Sequence, residues 1–281
     1  MKVTVLICTH NRADLLKRTL ASLNSAARPA HCSVEILVVA NACTDGTASL
    51  LDAYVSAPDG AVRLPLRWLH ELKPGKSNAL NRAISMLDGD VVAFVDDDHR
   101  VDIGYLRGVH RAARMYPEAT LFCGRILPDW DGEEPNWVHD TGPYRIYPLP
   151  IPRSDLGPEP RALSMEGPLP GGGNLFLRRS VFDRVGSFSI ELGPHGHDLG
   201  GGEDADFVAR CLKAGETLQY VPWVTQYHFV DSGRLRFPYL MRKSFQRSRS
   251  GIRVGLPSAT PIPRYLWRKL AEYLILGLLS V

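Results

Sequence analysis

Three consecutive carboxylates, Asp96-Asp97-Asp98, close an apolar run, Asp90-Val-Val-Ala-Phe-Val95. Adjacent anions repel one another unless a cation neutralises them. A hard divalent cation with oxygen ligands is suited to that task, and such ions commonly bridge one or two carboxylates to substrate phosphates. If the run is a strand, alternation sends Asp96 and Asp98 to one side and Asp97 to the other, so that one side presents a D-x-D pair. A solvated acidic turn is the plain alternative. A second acidic cluster, Glu203-Asp204-Ala-Asp206, opens an apolar stripe of Phe207, Val208, Cys211 and Leu212 at helical spacing. Carboxylates in a first turn complement the helix dipole, which would account for them without any chemistry. They also follow a segment, 193–202, in which five of ten residues are glycine. Such a loop is flexible and lets a ligand approach the backbone, which makes Asp204 at its mouth a candidate general base. His228 has the chemistry of a metal ligand or phosphate donor, and a packed histidine is its alternative.

His70-Glu-Leu-Lys-Pro-Gly-Lys-Ser77 resembles a phosphate-binding loop but fails its pattern, because His70 stands where the first glycine is required. Lys73, Gly75 and Lys76 remain candidate phosphate or base contacts through charge and backbone donors.

These groups need a scaffold. Val3-Thr-Val-Leu-Ile-Cys8 is a continuous apolar run, the pattern of a buried parallel strand. Helical spacing follows from Ala13 to Leu23, with Leu15, Leu16, Thr19, Leu20 and Leu23 on one face. Val34–Ala40 is expected as a second strand, Thr47 to about Val55 as a helix, and Arg67–His70 as a third strand. Ser77–Leu87 is expected as a helix and Asp90–Val95 as a fourth strand. Alternating β and α elements build an open, mainly parallel sheet with helices on both faces. Ligands of such sheets bind at the carboxyl ends of the strands. Three polar clusters fall there: Thr9-His10-Asn11, Asn41 with Asp45, and the aspartate trio.

The second half is less regular. Ten of the 21 prolines lie between Pro128 and Pro170, interleaved with Trp130, Trp137, Tyr144 and Tyr147, the pattern of long loops laid across a sheet. The aromatics are either loop anchors or an acceptor platform. Leu175–Leu177 reads as a strand after Gly171-Gly-Gly-Asn174, Ser180–Val185 as a helix, Glu203–Ala214 as a helix stopped by Gly215, and Tyr220–Phe229 as a late strand.

Hydrophobic residues make up 44% and charged residues 22%, which predicts a packed core and excludes a disordered chain. Five cysteines form no C-x-x-C pair, which fits a reducing compartment better than a disulfide scaffold or a zinc site. The N-terminal apolar run is too short for a signal peptide, so cytoplasmic residence is expected. The net charge of +3 conceals an asymmetry. Ten Lys or Arg and no Asp or Glu lie between Arg234 and Lys269, leaving 33 − 10 = 23 basic residues against 30 acidic ones elsewhere. A basic tail on an acidic body predicts an anionic surface as partner. The apolar stretch Tyr273–Val281 is too short to span a bilayer but could lie in its interface, peripheral on the inner face of the cell membrane. A helix covering the core is the alternative. No nucleic-acid motif accompanies the basic tail, so no nucleic-acid partner is expected.

Taken in order, VTVLICTHNR, VVANACTDGT, GKSNALNRAI, FVDDD, GGGNLFLRRSVF, GGEDADFVARCLKAG and His228 resemble the family 2 glycosyltransferases of GT-A fold over about residues 1–230. The resemblance implies a nucleotide-sugar-binding half over 1–100, an acceptor and catalytic half over 101–230, and a basic, apolar helical extension over 231–281. It implies an inverting transfer of sugar from a nucleotide-diphosphate donor, a UDP-sugar foremost, to a hydroxyl of a saccharide or lipid-linked acceptor, in polysaccharide or glycolipid assembly. Thr9, Asn11, Asn41, Asp45, Lys73, Lys76, Asp97 and Glu203 would belong to the donor site, with the base near Asn41 and Lys73. Asp96 would contact the ribose or the metal-bound diphosphate. Asp98, with Asp96 and His228, would hold Mg²⁺ or Mn²⁺. Gly172, Gly173 and Asn174 would border the donor sugar, and Asp204 would be the catalytic base. Ala40 is a departure, since family members often carry an acidic residue there.

Three rivals share parts of this pattern. A phosphohydrolase of the haloacid dehalogenase type wants Thr or Val where Arg100 stands. A nucleotidyltransferase would use the same metal chemistry and release pyrophosphate rather than a nucleoside diphosphate. A non-catalytic sugar-binding module would be expected to have lost Asp204 or the trio.

Overall fold

The strand β1 (Lys2–Thr9) lies inside the sheet because both of its faces are apolar: Val3, Val5 and Ile7 pack on one side and Leu6 on the other. It pairs in parallel with β2 (Ser33–Asn41) and with β4 (Val91–Phe94), and β2 pairs in parallel with β3 (Leu66–Glu71). The protein is described here by a computed structural model, which covers residues 1–57, 63–142, 149, 151, 153–167, 169–192, 202–255, 267, 268, 271, 272 and 275. The first half is the expected parallel sheet. The second half adds β5 (His99–Val101), β6 (Leu121–Trp130), β7 (Arg161–Leu163), β8 (Leu175–Arg178) and β9 (Leu218–Val230). The strand order is β3-β2-β1-β4-β8-β6-β9-β5, with β7 also on β9. β8 enters antiparallel to both β4 and β6, so the sheet is parallel in its first half and mixed in its second.

Helices cover both faces. α1 (Ala13–Ser25), α2 (Thr47–Val55) and α4 (Tyr105–Met115) pack on one, through Leu16, Leu20, Leu51, Tyr105 and Val109. α3 (Lys76–Ile84), α5 (Ser180–Val185) and α6 (Glu203–Lys213) pack on the other, through Leu80, Val181, Phe207 and Cys211. Each places its apolar residues three and four apart, so burying one stripe fixes its rotation. α6 ends as expected at Gly215, whose φ of +87° suits glycine. The Glu216 and Gly215 amides donate back to the carbonyls of Cys211 and Leu212, respectively.

Some boundaries differ from the sequence expectation. α3 stops at Ile84 rather than Leu87, because Met86 and Leu87 take tighter turns back to Ala83 and Ile84. β5, α4 and most of β6 fall in a stretch where no elements are expected. Within the proline-rich region, Trp130 and Trp137 pack with Val230, Leu235 and Leu240 in a small third cluster, which seats the start of α7 (Phe237–Gly255). Tyr144, Tyr147, the glycine-rich segment 193–201 and most of the chain beyond 255 lie outside the described residues. Among the described residues, no helix is long and apolar enough to cross a membrane.

Candidate active site

The aspartate trio sits where β4 ends, beside the carboxyl end of β1, and the three side chains part company there. Asp97 is buried and serves the scaffold: Thr9 Oγ1 donates to its Oδ2 at 2.7 Å and Arg12 Nη1 to its Oδ1 at 3.0 Å. Thr19 of α1 places its hydroxyl 2.9 Å from the Asp97 carbonyl and 2.7 Å from that of His99, fastening the turn to the helix. Burial, reinforced by the neighbouring charge of Asp98, pushes the Asp97 carboxyl up to about 6. Asp96 and Asp98 both face His99, but strand alternation is not the reason: the trio lies past the end of β4 at Phe94, with Asp97 and Asp98 in a turn. His99 Nε2 stands 3.9 Å from Asp96 Oδ2 and 3.9 Å from Asp98 Oδ1.

Asp98 Oδ2 lies 2.9 Å from Arg12 Nη1 and 3.7 Å from His228 Nε2. The antiparallel pairing of β5 with β9 sets His99 directly opposite His228, and their rings meet edge to face with centroids 5.2 Å apart. One donor atom each from Asp98, His99 and His228 lies within 4.8 Å of the others, the one such cation-sized group of acidic, His or Cys side chains among the described residues. His228 Nδ1 is buried without a hydrogen-bond partner, and burial lowers the tendency of this imidazole to take a second proton. A carboxylate with two imidazoles is a donor set that fits a divalent cation. Asp96 stands beside this group rather than within it.

Lys76, the first residue of α3, ties the trio to the second acidic cluster. Its Nζ lies 3.2 Å from Asp96 Oδ1, 3.5 Å from Asp204 Oδ2 and 3.6 Å from Glu203 Oε1. Burial alone would lower its pKa, but Asp204, Asp96 and Glu203 together raise it well above the usual value. Burial likewise works against the Asp96 anion, yet the Lys76 charge wins and holds that carboxyl at about 2. Glu203 goes the other way. Burial and the Asp204 charge push it up to about 7, and its Oε2 has no hydrogen-bond partner. The α6 N-terminus favours an anion by roughly 0.3–1 kcal/mol, too little to offset that desolvation.

Gly172 and Gly173, ahead of β8, pack against both acidic clusters. A Cβ on Gly172 would stand 2.3 Å from Asp204 Oδ1, and one on Gly173 would stand 2.7 Å from His99 Cε1 and 2.9 Å from Asp96 Oδ2. A side chain at either position would force Asp204, His99 or Asp96 to shift. Asp96 and Asp204 therefore lie side by side, joined through one Lys76 ammonium.

The remaining expected donor residues lie around the carboxyl ends of β1–β3, tied into the scaffold. Asn41 is buried, donates to the Lys73 carbonyl at 2.7 Å and accepts from the Gly75 amide at 2.8 Å, so it shapes the loop that carries Lys73. Asn11, with φ of +52°, accepts from the Thr44 and Asp45 amides at 2.7 and 3.2 Å. Asp45 accepts from Thr47 N at the start of α2 and from Ala13 N at the start of α1, both at 3.1 Å. Arg12 is among the residues of the site absent from the sequence expectation, as are His99 and Gln226. Their available signals are a histidine directly after the trio and the Gln226-x-His228 spacing, which alternation puts on one face of β9.

Comparisons with known proteins show the family and the fold. The profile of a family described as "Glycosyl transferase family 2" matches residues 4–186. The chain is 24% identical over 251 residues to a glucosyl-dolichyl phosphate glucuronosyltransferase of Haloferax volcanii, covering 87% of this chain and 74% of the relative. It is 23% identical over 249 residues to the succinoglycan biosynthesis protein ExoM of Rhizobium meliloti, covering 88% and 72%. Staphylococcus aureus TarS 1-349 in complex with UDP-GlcNAc superposes with a TM-score of 0.59 at 17% identity, over 82% of this chain and 59% of that one. The mannosyltransferase PcManGT of Pyrobaculum calidifontis, solved with GDP-Man and Mn²⁺, gives 0.58 at 18% identity, over 90% and 62%. The chain thus spans less than two thirds of these solved structures, and 37% of a longer TarS chain. This chain belongs to glycosyl transferase family 2.

Proposed function

We propose that this chain is an inverting glycosyltransferase that moves a sugar from a nucleoside-diphosphate donor, a UDP-sugar foremost, to an acceptor hydroxyl, with Asp204 as general base. The observation that carries it is the Lys76 bridge, which holds Asp96 and Asp204 within 3.2 and 3.5 Å of one ammonium. A binding module needs no such acid facing the phosphate side.

Asp98 and His228, with Asp96 beside them, would hold Mg²⁺ or Mn²⁺, which when bound would neutralise charge on the leaving diphosphate. Lys76, at the start of α3, adds a fixed positive charge on the same side. Thr9 and Arg12 pin Asp97 and so keep the trio's turn against β1 as the diphosphate enters. The loop held by Asn41 presents Lys73 and Glu71 as the wall for the base. Gly172 and Gly173 keep the loop backbone against Asp204 and Asp96, where the sugar would be bordered, whereas the Asn174 side chain is turned into the core. Asp204, with 17% of its side chain exposed, would face the acceptor. It takes the hydroxyl proton as the oxygen attacks the anomeric carbon opposite the leaving phosphate, and the configuration inverts. The UDP-GlcNAc complex of the TarS structure and the GDP-Man and Mn²⁺ complex of PcManGT support the donor class and the cation.

For the acceptor, the names of the Haloferax and Rhizobium relatives support a glycolipid or polysaccharide. α7 supports a location at a membrane surface. Phe237, Met241 and Phe245 recur every fourth residue and are 72, 56 and 69% exposed. Residues 237–255 carry five Lys or Arg and no acid, so this helix pairs an apolar stripe with positive charge, the chemistry of an anionic lipid surface. On this reading residues 1–230 form the transferase and 231–281 its membrane-facing extension.

A melting-temperature screen of nucleoside diphosphates and nucleotide sugars with Mn²⁺, followed by product analysis, tests the assignment. A UDP-sugar should stabilise the chain most, and turnover should release UDP. Release of pyrophosphate would favour a nucleotidyltransferase instead.

A further inference from the structure

Behind the acidic clusters runs a buried polar chain that the proposed reaction leaves without a role. Gln226 of β9 has no exposed surface, Asn174 is 1% exposed and the His99 side chain 1%. Backbone carbonyls fix the orientation of both amides. Asn174 Nδ2 donates to the Arg125 carbonyl at 2.6 Å and the Val224 carbonyl at 2.9 Å, which leaves Asn174 Oδ1 facing Gln226. Gln226 Nε2 lies 3.0 Å from the Phe94 carbonyl and 3.1 Å from Asn174 Oδ1, and these atoms can only accept. Gln226 Oε1 is thereby turned toward His99 Nδ1, 2.7 Å away, and the hydrogen in that contact has to come from the imidazole.

With a proton fixed on Nδ1, His99 Nε2 is the nitrogen free to bind a cation. It stands 3.9 Å from carboxylate oxygens of Asp96 and Asp98, beyond hydrogen-bond reach, and makes no hydrogen bond among the described residues. A ring buried on all sides, with its far N–H held by an amide oxygen and its near nitrogen aimed between two carboxylates, has the outer support that metal-ligating histidines carry. His228 has no such support at its Nδ1.

We propose that His99 is an imidazole ligand of the catalytic cation alongside Asp98 and His228, that Gln226 is its positioning residue, and that the resulting two-nitrogen, one-carboxylate set selects Mn²⁺ over Mg²⁺. This rests on the metal-dependent reading above. Imidazole suits transition ions, whereas Mg²⁺ prefers an all-oxygen shell and gives up its waters reluctantly.

The test uses the full chain with Mn²⁺ and UDP, read by electron-nuclear double resonance for coupled ¹⁴N and by calorimetry for cation affinity. Two imidazole nitrogens are expected in the unaltered protein and one in His99→Asn. Gln226→Met should weaken Mn²⁺ binding by roughly 10–100-fold. The ratio of Mn²⁺ to Mg²⁺ affinity should fall at least about tenfold in His99→Asn, in line with losing an outer-shell-supported ligand. A single nitrogen in the unaltered protein, lost in His228→Asn, would overturn the role of His99 and leave the metal-dependent transferase standing. No bound Mn²⁺ in the unaltered protein would overturn both. The nitrogen count in the unaltered protein decides the matter even if a variant fails to fold.

Discussion

The Asp204 carboxylate rests against the bare Cα of Gly172: a Cβ there would stand 2.3 Å from Oδ1 and 2.5 Å from Oδ2. The glycine loop before β8 and the first turn of α6 thus define each other's position. Gly172→Ala should push Asp204 off its place by several tenths of an ångström or more. Displacements near 1 Å cost about 10²-fold in rate, so kcat should drop about that far while the melting temperature changes little. Steady-state kinetics beside a thermal melt checks it.

Lys76 compensates three carboxylates at once, so its loss should destabilise. Lys76→Met leaves Asp96 and Asp204 without their cation and should cost about 3 kcal/mol in urea denaturation, toward the low end for a broken buried pair because Lys76 is partly exposed. The pH dependence should change too. Asp96, held at about 2 against an ordinary 3.8, contributes stability that is present above pH 3.8 and lost as pH falls toward 2. Without Lys76 that acid-side loss should largely vanish.

Glu203 makes the opposite prediction. Its native carboxyl is raised to about 7 against 4.5, so between those values the native state holds more protons than the unfolded chain. Stability from this group is full below pH 4.5 and declines as pH rises to 7. Glu203→Gln carries a permanently neutral amide of the same shape. The variant should lose that slope and gain melting temperature relative to the parent above pH 7.

α7 should bind anionic bilayers. The full chain should co-float with vesicles containing phosphatidylglycerol and stay behind with pure phosphatidylcholine. Arg242→Gln should weaken partitioning about fivefold, since one basic residue near such a surface is worth about 1 kcal/mol. Binding that ignores lipid charge and salt would argue against this role for the helix.

The first hundred residues were legible because long apolar strands and amphipathic helices alternate there, and β1, β2 and α2 fall where periodicity puts them. The trio and the acidic start of α6 were legible for the same reason, each abutting an apolar element. β5 was not, because three residues with an exposed Arg100 carry no period. α4 has a clear stripe in Leu106, Val109, Ala112 and Ala113, yet its start at Tyr105 follows Gly104 with no side-chain cap to mark it. His99 and Gln226 stayed hidden because their partnership depends on the register of β5 against β9, a pairing across 127 residues of sequence. Asn11, Asn41 and Asp45 were legible as a polar cluster at the strand ends. Their hydrogen bonds to loop and helix backbones were not, since these depend on how the loops fold back.

Asp204 as the proton acceptor is the claim on which the mechanism stands. Single-turnover rates and donor dissociation constants should be measured together for the parent and for Asp204→Asn, with Mn²⁺ present. Donor affinity should stay within about threefold while the transfer rate falls by ~10²–10⁴-fold, the usual contribution of a general base. A transfer rate close to that of the parent, with the donor bound as before, would contradict the account.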